Sequence, residues 1–329
     1  MKFGFSYGDA PHTKSLALWE TARDAGFDQA WAWDSHIIWQ ECWSLLGWLI
    51  GTVKPDFEYG TCVTNPRTRD PIVTASACAT LNQITGGKVI CGIGRGDSAV
   101  RVINRKPAKL ADVEYAVEVI RTLGSGQKLS MDGVDAHMPW ASGPVPVYIA
   151  GYGPKALRLA GRVADGVIFQ IADPFVIEWS MGHVRAGAEE AGRDVDDITL
   201  HCATATYISS DLDEAREQCR WFPAVVGNHI ADILRHHEPE GLPDALINYI
   251  EGRSEYDYRE HAEQGTEHSQ YVPDDIVDRF CVLGTKEQCE EKIRELERIG
   301  IGEFNIYPHV ENIHEILETY GREIAPKFR

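Results

Sequence analysis

Apolar and polar residues alternate along this chain with two different periods. Short β-prone runs are each followed by a longer segment in which apolar residues recur at helical spacing. This pattern predicts strands at 2–7, 28–33, 57–63, 88–93, 145–150, 166–171, 198–207 and 303–307, and helices behind them, for instance at 13–25, 71–85, 109–123, 154–164 and 174–191. Eight strand–helix units in succession favour a closed (β/α)8 TIM barrel over an open doubly wound sheet.

The stretch 58–99 shows most clearly how one unit passes into the next. Asp70 and Pro71 suit a helix start, because an aspartate accepts hydrogen bonds from free N–H groups and proline needs no donor there. The run 88–93 is almost continuously apolar, which is typical of a strand buried on both faces, and it breaks into the polar loop 94–97. Neighbouring parallel strands therefore bring polar loops to one end of the sheet, where α/β proteins bind ligands.

A long segment interrupts the alternation after the seventh strand. Residues from about 221 to 279 separate that strand from the predicted seventh helix, at 285–299. An insertion of this length at the ligand end of a barrel is typical of a lid or a subunit contact, with a solvated helical excursion as the alternative. It carries His229, His236, His237, His261 and His268. Because adjacent histidines on a helix do not face one ligand, and no HExxH or CxxC motif accompanies them, we expect no metal site.

Charge and cysteine usage exclude several classes of protein. The 32 Lys and Arg residues are outnumbered by 50 Asp and Glu residues, and the formal charge of −18 argues against nucleic acid or an anionic membrane as a partner. The eight cysteines are scattered without a CxxC pair, as in reduced intracellular thiols. The chain opens on a predicted strand and has no apolar run long enough to cross a bilayer, so we expect a cytoplasmic protein.

Titratable residues follow two of the predicted strands at the ligand end. Asp34 and His36 follow the second strand and could exchange protons with a substrate, although Asp34 could instead cap the next segment and His36 could pack on Trp39. Arg95 and Asp97 follow the fourth strand. Asp97 could cap a helix that begins near residue 99.

Two further features predict that this end of the barrel binds an anion. Between residues 95 and 109 five cations accompany Asp97 alone, a local balance of five minus one, or +4; they are Arg95, Arg101, Arg105, Lys106 and Lys109. The segment Gly151-Tyr152-Gly153-Pro154 joins the fifth strand to a helix. Glycines let the backbone approach an anion and a helix start offers free N–H groups, whereas the alternative is an ordinary tight turn.

The segment TNPRTRDPIVTASACATLNQITGGKVICGIGRGD resembles the bacterial luciferase-like superfamily, most of all its branch of deazaflavin (coenzyme F420)-dependent methylene-tetrahydromethanopterin reductases. Asp34, the segment 151–154 and Ala164-Asp165-Gly166 extend the resemblance over nearly the whole chain. It implies one (β/α)8 domain over residues 1–329. Relatives carry Asp-His where this chain has Asp34-Ser35-His36, and the pterin reductases carry an acidic residue where it has Ser6.

The resemblance also implies roles for particular residues. It places a non-proline cis peptide at Cys62–Val63, which with Thr64 and Asn65 would back the central ring of the cofactor. It implies that Gly151, Tyr152, Gly153 and Pro154 bind the cofactor phosphate. Arg95 and Gly96 would lie beside the cofactor, and Asp97 would transfer protons next to the reactive ring, with Asp34 and His36 as further candidates.

These features together predict an oxidoreductase that moves a hydride between a bound deazaflavin, coenzyme F420, and a small organic substrate. If the cofactor is FMN instead, the alternative is an FMN-dependent monooxygenase. A protein of a different functional class, a non-catalytic flavin-binding partner subunit, is the second alternative. The resemblance implies a homodimer or larger assembly. Trp43, Leu46, Trp48 and Leu49 form an apolar cluster suited to a subunit contact, unless it packs the outer helix onto its own barrel.

Overall fold

A closed barrel of parallel strands forms the centre of the computed structural model, which describes residues 1–8, 11–54, 56–237, 239, 242–251 and 272–329. The strands are β1 Lys2–Tyr7, β2 Gln29–Ala32, β3 Glu58–Thr61, β4 Val89–Ile93, β5 Leu129–Met131, β6 Val134–Ala136, β7 Val147–Ala150, β8 Gly166–Phe169, β9 Thr199–Ile208, β10 Val282–Gly284 and β11 Glu303–Tyr307. Around the barrel the order is β1-β2-β3-β4-β7-β8-β9-β11, and β11 pairs with β1. The predicted (β/α)8 barrel is confirmed.

Helices surround the barrel, including those that the apolar periodicity predicted. They are α1 His12–Ala25, α2 Cys42–Val53, α3 Pro71–Thr85, α4 Ser98–Arg101, α5 Leu110–Gly124, α6 Pro154–Val163, α7 Pro174–Glu190, α8 Leu212–Cys219, α9 Trp221–His237, α10 Asp244–Glu251, α11 Asp274–Phe280, α12 Lys286–Arg298 and α13 Ile313–Thr319. Helix α3 begins as predicted, because the Asp70 carboxylate accepts a hydrogen bond from the Ile72 N–H at 2.8 Å. Among these described helices, none has the length and apolar character to span a membrane.

The N-terminal end of the barrel is closed by packed polar and aromatic side chains. Glu303 is 3 % exposed, and its carboxylate accepts hydrogen bonds from Gln29 at 2.9 Å and contacts His201 Nδ1 at 3.0 Å. The Trp31 ring packs on the His201 ring, with centroids 4.4 Å apart. Because this layer fills the barrel interior, the interior opens toward the C-terminal ends of the strands.

The predicted insertion is anchored to the barrel by arginines on α8 and α11. Arg216 forms a bidentate ion pair with Asp278 at 2.9 and 2.7 Å, and Arg279 pairs with the buried Asp173 at 2.5 Å. Part of the insertion, with the predicted positions His261 and His268, lies outside the described residues. Strand β10 follows α11 and pairs with the end of β9.

Helix α2 divides the predicted apolar cluster between the core and the surface. Leu46 and Leu49 are 1 % and 0 % exposed, so they pack the helix onto its own barrel, as the alternative interpretation had it. Trp48 is 40 % exposed and lies against the His12 ring. Glu41, and not Asp34, caps this helix, because the Glu41 carboxylate accepts hydrogen bonds from the Ser44 and Trp43 N–H groups.

Candidate active site

A cavity of about 770 Å³ opens at the C-terminal ends of the barrel strands. It lies where a parallel barrel collects its loops, since every strand of the barrel points the same way. Residues from the loops after β2, β3, β4, β7 and β8 line it, together with Tyr307 of β11 and one face of α9.

The loop after β3 forms one wall through a cis peptide. The Cys62–Val63 bond is cis, as the resemblance implied, and Cys62, Val63 and Asn65 line the cavity. Thr64 continues the sheet, because its N–H donates to Gly92 O and its carbonyl accepts from the Gly94 N–H, both at 2.9 Å. This ladder fixes the loop against β4.

Asp34 is held by three charge-assisted hydrogen bonds and is 2 % exposed. Its carboxylate accepts from Thr64 Oγ1 at 2.6 Å and from Arg69 Nε and Nη2 at 2.8 and 2.9 Å. Burial by itself would raise the pKa of Asp34, but the hydrogen bonds from Arg69 and Thr64 outweigh it and lower the pKa. Asp34 is therefore ionised near neutral pH, and its geometry is that of an anchor between the loops after β2 and β3.

His36 is not among the described residues that line the cavity. The lining includes Asp34 and Ser35 from this loop. The Ser35 hydroxyl forms a hydrogen bond of 2.6 Å with the Ser98 hydroxyl and so joins the loops after β2 and β4. An imidazole does lie at the cavity, however, because His237 of α9 contributes to its lining.

The loop after β4 brings a carboxylate and two guanidinium groups to the cavity. Asp97 directly precedes α4, yet its side chain makes no capping hydrogen bond; it accepts one from Arg101 Nε at 2.6 Å instead. The geometry thus differs from the helix-cap alternative. Arg95 donates through Nε to Ala108 O at 2.6 Å, which orients its side chain. The residues of this loop that line the cavity are Arg95, Gly96, Asp97 and Arg101. The more distant cations of the basic run are exposed and are not part of the described lining; they are Arg105, Lys106 and Lys109.

The loop after β7 supplies the wall next to Arg95. Gly151, Tyr152, Gly153 and Pro154 line the cavity, and α6 begins at Pro154 with no side-chain cap on its first N–H groups. A helix start in this state is suited to bind an anion. Lys155, the second residue of α6, also lines the cavity and adds positive charge there.

A chain of hydrogen bonds connects this loop with the cis peptide. Tyr152 OH donates to Gln170 Oε1 at 2.8 Å, Gln170 Nε2 donates to Tyr307 OH at 2.6 Å, and Tyr307 OH lies 3.3 Å from Cys62 Sγ. Burial raises the pKa of both tyrosines, and that of Cys62 to about 12. All three groups therefore stay protonated near neutral pH. Sequence analysis missed Gln170 and Tyr307, although each lies at the end of a predicted strand.

The polar groups and glycines of these walls fit a flat, hydrogen-bonding cofactor with an anionic tail. The Asn65 side chain is 2 % exposed, and its Nδ2 has no hydrogen-bond partner among the described residues, so it can donate to a ligand. Gly94 allows the loop after β4 to pack closely on the cis peptide, because a Cβ at this position would lie only 3.2 Å from Val63 Cγ2. Gly96 has a φ of 81° and packs on Asn65, which favours glycine.

Comparison with known proteins assigns the chain to a family. The sequence model of the family described as luciferase-like monooxygenase matches residues 6–303. The chain belongs to this family. The predicted superfamily is thereby confirmed, and the protein is an oxidoreductase of the luciferase-like type.

Several relatives and solved structures resemble the chain over its whole length. The 5,10-methylenetetrahydromethanopterin reductase of Archaeoglobus fulgidus is 29 % identical over 100 % of both chains, and the F420-dependent glucose-6-phosphate dehydrogenase of Nakamurella multipartita is 25 % identical over 94 % of this chain and 90 % of its own. The structure of the coenzyme F420-dependent tetrahydromethanopterin reductase of Methanopyrus kandleri superposes with a TM-score of 0.76 at 25 % identity, covering 100 % of this chain and 99 % of its own. A secondary alcohol dehydrogenase in complex with an F420–acetone adduct, at 23 % identity and a TM-score of 0.77 with the same coverage, shares the fold.

Proposed function

We propose that this protein transfers a hydride between coenzyme F420, a deazaflavin, and a small organic substrate. The observation that carries the proposal is a single cavity in which the cis peptide Cys62–Val63 forms one wall and an uncapped helix start with Lys155 forms another. Relatives of both reductase and dehydrogenase type, similar over most of the chain, are named for this coenzyme. Bound coenzyme F420 supplies two-electron hydride chemistry, and the protein supplies orientation and proton transfer.

The cofactor-binding residues follow from this arrangement. Cys62, Val63 and Asn65 would hold the ring, with the free Asn65 Nδ2 as a donor to a ring oxygen or nitrogen. Thr64 would act indirectly, because its hydroxyl is used by Asp34. The backbone of Gly151, Tyr152, Gly153 and Pro154 would bind the phosphate, while Arg95 and Gly96, with Arg101 and Lys155, would face the anionic tail.

Asp97 is the residue that we propose for proton transfer. It lines the cavity beside glycine, is a third exposed and is paired with Arg101 rather than used as a cap. We assign Asp34 a positioning role, since its buried carboxylate accepts hydrogen bonds from Thr64 and Arg69. His36 stays a candidate although it is not part of the described lining, whereas His237 lines the cavity.

The insertion and the surface of α2 would complete the functional unit. Helix α9 contributes Trp221, Phe222 and Val226 to the cavity, which is what a lid over bound cofactor does. The whole chain would act as one barrel domain. Trp48 and the exposed Val73 of the adjacent α3 would form the contact of a homodimer.

Calorimetric titration with coenzyme F420 and with FMN tests the cofactor proposal. We expect coenzyme F420 to bind and FMN to bind at least about tenfold more weakly. Micromolar binding of FMN without binding of coenzyme F420 would overturn the proposal and favour an FMN-dependent monooxygenase. Binding of the cofactor with no turnover of any substrate would favour a non-catalytic partner subunit.

Gly153→Asp tests the phosphate loop. A Cβ at this position has only Ile233 Cδ1 nearby, at 3.9 Å, and φ is −86°, so the variant should fold while its carboxylate repels the bound anion. We expect its affinity for coenzyme F420 to fall at least about tenfold with little change in the melting temperature of the cofactor-free protein. Gly302→Asp is the matched control, since this glycine is exposed at the opposite end of the barrel with no neighbour within 4 Å. Unchanged affinity in Gly153→Asp would show that the loop is an ordinary turn.

A further inference from the structure

The proposed function divides the cavity into two subsites for one cofactor. The ring subsite consists of the residues after β3 that would hold the deazaflavin, which are Cys62, Val63 and Asn65. The phosphate subsite is the loop after β7, residues 151–154, at the start of α6. A cofactor that carries a ring and a phosphate on one molecule must meet both subsites at the distance that its own covalent structure sets. The relative position of the two subsites is therefore part of the fit.

One glutamine connects the two subsites through side-chain hydrogen bonds. Gln170 directly follows β8 and lines the cavity. Its Oε1 accepts a hydrogen bond from Tyr152 OH of the phosphate subsite at 2.8 Å, and its Nε2 donates to Tyr307 OH at 2.6 Å. Tyr307 OH in turn lies 3.3 Å from Cys62 Sγ of the ring subsite. In the strand order β1 and β2 separate β11 from β3, so this last contact crosses the barrel interior.

The Tyr307 end of this connection is held by packing. Tyr307 is 5 % exposed, and its ring contacts the Trp33 and Phe222 rings edge to face, with both pairs of centroids 5.5 Å apart. Aromatic pairs in this geometry stabilise a ring beyond the area that they bury. Gln170 is thus joined to a side chain that is packed against both the loop after β2 and α9.

The phosphate subsite depends more strongly on the connection. Gly151 and Gly153 have no side chain, so at these three positions Tyr152 alone can hold the loop through a side chain. Glycine also leaves the backbone more conformational freedom than other residues do. Without the hydrogen bond to Gln170 the loop is free to adopt other positions, and a ligand that needs one of them must order it at a cost in affinity.

A glutamine is suited to this connection because its amide accepts and donates at once. Oε1 takes the proton of one hydroxyl, while Nε2 gives a proton to the other. A glutamate of the same length could only accept and would add negative charge to the cavity, and a methionine could do neither.

We propose that Gln170 is a positioning residue, which holds the phosphate subsite at the distance from the ring subsite that coenzyme F420 requires. This inference rests on the proposed function. Because Gln170 acts on the relation between the two subsites, its loss should weaken a ligand that spans both more than a ligand that occupies one. The affinity that the phosphate adds to the ring is therefore the quantity that Gln170 controls.

Gln170→Met tests the proposal with two ligands, coenzyme F420 and the ribityl deazaflavin that lacks its phosphate and tail. Methionine keeps the length of the side chain and removes both hydrogen bonds. By calorimetry we expect the affinity for coenzyme F420 to fall at least about tenfold and that for the ribityl deazaflavin less than about threefold. A merely structural role would weaken both ligands alike and leave the ratio of their affinities unchanged.

The same titrations show which idea fails. Equal losses for the two ligands, or unchanged affinity for coenzyme F420, would overturn the role of Gln170. Absence of binding of either ligand to the wild type would instead contradict the proposed function. Gln83→Met is the matched control, because the Gln83 amide donates to Trp140 O outside the described lining, and both affinities should stay at the wild-type value.

Tyr152→Phe breaks the same connection from its other end and serves if Gln170→Met does not fold. It keeps the ring and removes only the hydroxyl, so the affinity for coenzyme F420 should again fall relative to that for the ribityl deazaflavin. Because both substitutions remove one connection, the double variant should bind coenzyme F420 about as weakly as the weaker single variant. Additive losses would show that Tyr152 and Gln170 act separately and would contradict the assignment.

Discussion

Replacing Asp34 by asparagine distinguishes a structural role, in which the carboxylate holds the loops after β2 and β3 together, from a role in catalysis. Asparagine has the shape of aspartate, but it replaces one acceptor oxygen by a donor and removes the charge. The Arg69 guanidinium, which donates two parallel hydrogen bonds to Asp34, would then meet an N–H₂ group or lose one bond. If the role of Asp34 is to hold the loops after β2 and β3, the variant should lose stability as well as activity.

The environment of the pair sets the size of the expected loss. Truncating one partner of a buried ion pair typically costs about 3–5 kcal/mol, because the other charge is left without compensation. The Asp34 side chain is 0 % exposed, whereas Arg69 is 19 % exposed and keeps its second ion pair with Glu41 at 2.5 Å. Water and Glu41 therefore compensate Arg69 in part, and we expect a decrease of about 2–4 kcal/mol in the free energy of unfolding.

Urea denaturation at neutral pH measures this loss, with Glu41→Gln as the matched control. Glu41 pairs with the same guanidinium but is 43 % exposed, and glutamine keeps an oxygen that can accept the capping hydrogen bonds of α2, so its replacement should cost no more than about 1 kcal/mol. The lowered pKa of Asp34 also fixes the pH dependence. A carboxylate with a lowered pKa stabilises the fold above the pKa of the unfolded chain, about 4, and this contribution is lost as pH falls through the lower folded value. The difference between wild type and Asp34→Asn should thus be constant above about pH 5 and shrink at lower pH.

A different outcome would refute this reasoning. If Asp34→Asn unfolds at the urea concentration of the wild type but has lost turnover, Asp34 acts in the chemistry and the anchor interpretation is wrong. If the stability difference stays constant down to pH 3, the effect does not come from ionisation of Asp34.

Two other substitutions test the remaining assignments. Asp97→Asn should retain its affinity for coenzyme F420, while its turnover falls at least about a hundredfold. Its free energy of unfolding should decrease by at most about 1 kcal/mol, because the Asp97 side chain in the pair with Arg101 is a third exposed. Full turnover in this variant would exclude Asp97 from proton transfer. Trp48→Glu should convert a homodimer into monomers in sedimentation at micromolar concentration, whereas Trp140→Glu, at a similarly exposed position, should leave the assembly unchanged; a monomeric wild type would contradict the proposed dimer.

Local sequence signals predicted the barrel because each strand and helix is specified largely by the residues within it and next to it. The continuous apolar run of β4 and the Asp70–Pro71 start of α3 lie where the chain's own chemistry places them. The short hairpin of β5 and β6 and the strand β10 were not predicted. The strands of the hairpin have 3 residues each, too few for a period to be recognised.

The site was predicted less completely, because its geometry depends on contacts between distant parts of the chain. The Asp34–Arg69 pair joins residues 35 positions apart, and nothing local distinguishes this arginine from Arg67. The spacing of Asp97 and Arg101 at i and i+4 was a readable signal for an ion pair within one helical turn. Trp221 and Phe222 were placed in the insertion, but their position at the cavity follows from the packing of α9 across the barrel mouth.

The hydrogen-bond chain from Tyr152 to Cys62 connects two walls of the cavity, the loop after β7 and the cis peptide after β3. Tyr152 donates to Gln170, Gln170 donates to Tyr307, and the Tyr307 hydroxyl shares a hydrogen bond with Cys62 Sγ. Because burial raises the pKa of each titratable member still further above neutrality, the hydrogen-bond chain carries no charge near neutral pH. Because it is neutral, this chain of hydrogen bonds fixes the distance between the loop after β7 and the cis peptide without attracting or repelling an anion. The Lys and Arg side chains of the described lining lie elsewhere, on the β4 and β7 sides of the cavity, where Arg95 is held by Ala108 O and Arg101 by Asp97, so the neutral hydrogen-bond chain and the cations are separate parts of the site.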